Sequence, residues 1–69
     1  METEWVNGFR IRCCIDGTTA VLSANREGLL SLARHLTALA QERPGSHIHY
    51  DQFNSLEADS NPLIVERID

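Results

Sequence analysis

The pattern that most constrains this chain lies between Asn25 and Gly45. At 100° per residue, Leu29, Leu32, Ala33, Leu36, Leu39 and Ala40 share one stripe about 120° wide, with Ser31, Arg34, Ala38, Gln41 and Glu42 opposite and His35 at the border. Asn25 is a suitable N-cap, because its side chain can accept a hydrogen bond from a free N–H of the first turn. Glu27 complements the positive end of the helix dipole, and Arg43 with Pro44-Gly45 marks the end. An amphipathic helix of about 17 residues is predicted here. In a chain of 69 residues no other segment offers comparable apolar surface, so the leucine stripe is assigned to the core. A chain this short buries only about 60% of the surface its unfolded form exposes, which leaves room for one small domain, residues 1–69.

The segments around the helix alternate with period two. Phe9, Ile11, Cys13 and Ile15 fall on one face and Arg10, Arg12 and Cys14 on the other, the signature of a half-buried strand. Asn7-Gly8 precedes it and Asp16-Gly17 follows, both dipeptides that tolerate the positive φ of tight hairpin turns. Thr18–Ser23, rich in Thr, Val and Leu, reads as the hairpin partner. After the helix, His47, His49 and Asp51 point one way and Ile48 and Tyr50 the other. A polar turn region, 54–62, interrupted by Leu56, leads to a last strand over Leu63–Ile68. The expected architecture is α+β: a two-layer sandwich in the order β-β-α-β-β. It has a four-stranded, mainly antiparallel sheet, five-stranded if Thr3–Val6 joins, with one helix on one face.

A single helix covers one side of such a sheet, whereas Leu63, Ile64, Val65 and Ile68 supply apolar side chains to both, and Trp5, Tyr50 and Phe53 add aromatic surface. A homodimer through the open sheet face is one way to cover the excess, since small domains gain core by association.

Composition excludes several functions. Ten acidic against six basic side chains give a net charge of −4, which argues against nucleic-acid binding, where a basic patch is the rule. No apolar run approaches the roughly 18 residues of a membrane span. Met1-Glu2-Thr3-Glu4 is acidic, without the apolar stretch of a signal peptide, so a cytoplasmic location is expected. The two cysteines, Cys13 and Cys14, are adjacent and point to opposite faces of a strand, which fits free thiols in a reducing compartment and no thiolate metal site.

The one arrangement with metal-ligand potential is His47-Ile48-His49-Tyr50-Asp51. On a strand the two imidazoles project from one face about 7 Å apart, a span that a metal ion could bridge, with Asp51 as third ligand or as partner to an imidazole. The alternative is a row of polar side chains on a strand's exposed face, since neither a fourth ligand nor a helix-borne HExxH accompanies it. Ser46, the histidines and Asp51 are too close in sequence to converge as a triad, and no GxSxG elbow exists. The scattered glycines build no phosphate loop. Gly28, in the first helical turn, costs up to about 1 kcal/mol relative to Ala, which a close approach of the neighbouring strand would explain, as would a ligand at the helix start, with packing the favoured reading. With so little core to enclose a substrate, the chain is expected to be non-catalytic and to need no cofactor.

Ser23-Ala24-Asn25-Arg26-Glu27-Gly28-Leu29 opens the helix. Gly45-Ser46-His47-Ile48-His49-Tyr50-Asp51 follows it, and a late Leu56 and Asp59-Ser60-Asn61-Pro62-Leu63-Ile64-Val65-Glu66 complete the order. This order resembles the immunity protein 32 family of bacterial polymorphic-toxin systems, with its Asn-x-x-Gly-Leu helix start and His-x-His segment. The resemblance runs from Ser23 to Glu66, and Asn25, Gly28, His47 and His49 match its pattern. It implies a small cytoplasmic protein that binds and neutralises a cognate protein toxin encoded by an adjacent gene. An acidic inhibitor suits a basic toxin, because complementary charge speeds encounter. Glu57 and Asp59, with Asp51 beside them, are the candidate toxin contacts.

Overall fold

A computed structural model describes residues 3–69. Met1 and Glu2, read above as part of the acidic N-terminus, lie outside the described residues. The chain forms β1 (Ile11–Asp16), β2 (Thr19–Ala24), α1 (Arg26–Leu39), β3 (His47–Tyr50) and β4 (Leu63–Glu66). Thr3–Val6 forms no strand.

β1 and β2 pair antiparallel with Asp16 opposite Thr19 and Ile11 opposite Ala24. The two central residues of the turn are thus Gly17 and Thr18, one position later than the Asp16-Gly17 dipeptide suggested. Gly17 takes the φ of +62° that this turn needs. β3 and β4 pair antiparallel with His47 opposite Glu66 and Tyr50 opposite Leu63.

The expected four-stranded sheet is not formed. The strands make two separate two-stranded sheets, β1–β2 and β3–β4, so the class remains α+β without a continuous sheet. The reason lies on the inner edge of β1. There the Ile11 carbonyl accepts from Glu57 N (2.9 Å), the Cys13 carbonyl from Asn61 N (2.7 Å), and Cys13 N donates to Ser60 Oγ (3.2 Å). The loop between β3 and β4 thus occupies the groups that a neighbouring strand would have used. Pro62, which has no N–H, follows directly and cannot extend that pairing.

The core comprises Ile11, Cys13, Leu32, Leu39, Ile48, Tyr50 and Leu56, with Trp5, Phe9, Ala24, Leu63 and Val65 packed against it. The helix is rotated from its expected orientation. It buries Gly28, Ser31, Leu32, His35 and Leu39, a face turned by about 90° from the leucine stripe at 100° per residue. Leu32 and Leu39 are core, but Leu29 and Leu36 remain 56% and 47% exposed. The segment before β1 decides this. Val6 N donates to Ser31 Oγ (2.8 Å), Ser31 Oγ donates to the Glu27 carbonyl (2.8 Å), and His35 Nε2 bonds the Glu4 carbonyl (2.7 Å). Those partners allow two polar residues to be fully buried, because a hydrogen-bonded polar group avoids the desolvation cost of an orphaned one.

Gly28 sits where the helix start meets the hairpin. A Cβ there would lie 2.6 Å from the Arg10 carbonyl oxygen and 2.9 Å from Ile11 Cγ1. Asn25 holds the same junction: its Oδ1 accepts from Gly28 N (2.8 Å) and Arg10 N (2.9 Å), and its Nδ2 donates to the Gly8 carbonyl (3.0 Å). At the far end of the helix, the Arg67 guanidinium donates to the carbonyls of Ala40 and Glu42, tying the C-terminal carbonyls to the segment after β4.

Candidate functional site

The three candidate acidic contacts arise from one loop, 51–62, but differ in their duties. Asp51 directly follows β3 and starts a turn. Its Oδ1 accepts from Phe53 N (2.8 Å) and Asn54 N (3.0 Å), and its carbonyl accepts from Leu56 N (2.8 Å). That turn delivers Leu56 into the core, where it is 5% exposed. The Asp51 carboxylate is therefore committed to backbone.

Glu57 and Asp59 lie on the stretch that bonds β1. Asp59 Oδ2 lies 2.6 Å from Arg12 Nη2, an exposed ion pair between the loop and the outer face of β1. The Glu57 carboxylate joins no ion pair among the described residues. Both acids border a shallow open groove whose other walls include Arg10, Arg12, Ser23 and Asn25. Its surface is thus mixed in charge, two arginines facing two carboxylates. Sequence reasoning did not single out this arginine contribution, although Arg10 and Arg12 share the polar face of the predicted strand, two residues apart. What was not legible is the fold-back of residues 57–61 against that strand.

His47 and His49 do project from one face of β3, as alternation requires, and both are exposed. Their rings meet edge to face with centroids 4.8 Å apart, and His47 Nδ1 also lies 3.1 Å from the Gly45 carbonyl. Asp51 does not extend the row, because the chain leaves the strand at Tyr50. Among the described residues no group of three or more His, Cys, Asp or Glu side chains is placed to hold a metal ion. Cys13 is buried and Cys14 half-buried, both as free thiols.

The third histidine is the most enclosed. His35 is 0% exposed, with Nδ1 at 2.8 Å from the Tyr50 hydroxyl, and Trp5 packs edge-on against it at 4.4 Å between centroids. Trp5 also stacks on Phe9 at 4.2 Å. Burial pushes the Tyr50 phenol up from its ordinary value to about 12. The cluster joins the N-terminal segment, the helix and β3.

The family model of immunity protein 32 matches residues 19–68. The chain belongs to the immunity protein 32 family. The match spans β2, α1, β3 and β4 and the loop carrying Glu57 and Asp59, so the arrangement just described lies within the family's region apart from β1 and the N-terminal segment. Immunity protein 32 membership carries a toxin-neutralising, non-catalytic interaction role as the family's general character. No curated protein and no solved structure matches the chain. Among the described residues no helix is long and apolar enough to cross a membrane.

Proposed function

We propose that this immunity protein 32 member is a cytoplasmic single-domain inhibitor, residues 1–69, that binds and neutralises one cognate protein toxin encoded by an adjacent gene. The observation that carries the reading is the family match over residues 19–68. The net charge of −4 is compatible with a basic toxin. The contact surface is the rim of the groove at Glu57 and Asp59. Glu57 is the contact whose carboxylate joins no ion pair among the described residues, Asp59 meets the toxin together with Arg12, and Asp51 acts indirectly by holding the loop. Rim charges of this kind act mainly on the association rate and its salt dependence.

The test is co-purification from the native host using a small C-terminal tag. A stoichiometric partner from the neighbouring gene, toxic when expressed alone and harmless with this chain, is the expected result. Glu57→Lys, a change of two charge units on the rim, should slow association with that partner several-fold at low salt. Absence of any such partner, with no phenotype on deleting the gene beside its neighbour, would remove the reading.

A further inference from the structure

The two edges of the β1–β2 hairpin are treated differently by the chain. Facing residues in an antiparallel ladder alternate between pairs that exchange both N–H···O bonds and pairs that exchange neither. The two-residue turn makes Asp16 and Thr19 a bonded pair, so Cys14 with Val21 and Arg12 with Ser23 are bonded too. Asn25 N donating to the Arg10 carbonyl (3.1 Å) continues the same parity. Ile11 and Cys13 therefore aim their backbone groups away from β2, and the loop 57–61 takes them. By the same parity Ala20, Leu22 and Ala24 aim theirs away from β1, and no strand or loop among the described residues pairs with that edge.

The outer edge also lacks the devices that discourage pairing. β2, Thr-Ala-Val-Leu-Ser-Ala, contains no charged residue and no proline, and pairs with β1 in unbroken register, without a bulge. Its first five residues are exposed, including Val21 on one face (37%) and Leu22 on the other (47%). β4, by contrast, ends on Glu66, opposite His47.

We propose that the occupant of this edge is a second copy of the chain, added antiparallel about a two-fold axis through Leu22. This register sets Leu22 against Leu22 of the second copy, and Ala20 and Ala24 against its Ala24 and Ala20. Every outward-facing backbone group of β2 is then met by a complementary one. Like meets like without a charge or a large-against-large clash: leucine against leucine, small alanines against small alanines, Val21 beside Ser23. The result is a continuous sheet in the order β1–β2–β2–β1, with the axis perpendicular to it and both helices on the same face. The interface is isologous and closes at two copies. The net charge of −4 does not oppose it locally, because none of that charge lies on β2.

The experiment is sedimentation equilibrium on the isolated full chain, from low micromolar to submillimolar concentration. The expected species has twice the 7.8 kDa chain mass. Ala20→Pro removes one outward N–H and no bond to β1, and the symmetry doubles its effect, so dimerisation should weaken by roughly tenfold or more. Leu22→Lys places two ammonium groups across the axis and should give monomer, as should Leu22→Asp. Mixing the two variants should restore dimer, because the opposed charges then attract, and circular dichroism checks that each variant is folded. A wild-type chain that stays monomeric throughout would overturn the proposal. So would a dimer that Ala20→Pro and Leu22→Lys leave equally tight, or folded Leu22→Lys and Leu22→Asp chains whose mixture stays monomeric.

Discussion

His35 and Tyr50 are bonded to each other inside the core, Nδ1 to hydroxyl at 2.8 Å, while His35 Nε2 reaches the Glu4 carbonyl at 2.7 Å. A carbonyl only accepts, so Nε2 carries a proton, and in the neutral imidazole Nδ1 then accepts from the phenol. One neutral tautomer satisfies every polar atom, and no buried side-chain nitrogen or oxygen among the described residues lacks a partner. The pair links the helix to β3 and to the segment before β1.

Tyr50→Phe should destabilise the fold by about 1–2 kcal/mol, because it leaves Nδ1 buried and unpaired while removing little volume. His35→Ala should cost more, about 3 kcal/mol, since it adds a cavity and orphans both the phenol and the Glu4 carbonyl. Urea denaturation of both single variants and the double variant should show them to be non-additive.

Alkaline pH tests the same group differently. Burial pushes the folded Tyr50 phenol up to about 12, above its ordinary value of 10.0. Its contribution is fully present below pH 10.0 and is lost as pH rises toward 12, because the folded state retains a proton that the unfolded chain releases. Stability measured across that window should fall, and the fall should be shallower in Tyr50→Phe.

Gly28→Ala should destabilise despite the better helix propensity of alanine. The propensity gain is at most about 1 kcal/mol, whereas the new Cβ would lie 2.6 Å from the Arg10 carbonyl oxygen. Backbone on one side and helix on the other must separate, so a net loss of about 2 kcal/mol is expected in urea denaturation.

Asn25→Ala removes the helix cap and two contacts to the strand entry, at Arg10 N and Gly8 O. A loss of about 2 kcal/mol is expected, the upper end for an N-cap. Arg12→Ala provides the contrast. Its ion pair with Asp59 is exposed and should contribute no more than about 1 kcal/mol, falling with salt. Thermal unfolding of the two variants at low and high salt separates the effects.

The strands and the helix were legible because they depend on local periodicity. Ile48 and Tyr50 alternate with His47 and His49, and the structure buries the first pair and exposes the second. Asn25 caps the helix where its side chain reaches Gly28 N, three residues on. The paired histidines were equally legible. The absence of Asp51 from their row was not, because the turn at Asp51 depends on the bonds it makes to Phe53 and Asn54 once Leu56 is pulled into the core.

By itself the sequence determined where the backbone could be helical or extended, the chemistry of the helix cap and of the Gly17 turn, and the family to which the chain belongs. Tertiary structure decided which face of the helix is buried and how the strands join. Hydrophobic periodicity ranks Ser31 and His35 below Leu29 and Leu36 as core residues. That ranking reverses when Val6 N–H, the Glu4 carbonyl and the Tyr50 hydroxyl supply partners from distant parts of the chain. The split into two sheets has the same origin: the inner edge of β1 is met by a loop whose backbone groups reach it only in the folded chain. Burial of polar groups and closure of strand edges depend on long-range hydrogen-bond partners, which local sequence patterns do not encode.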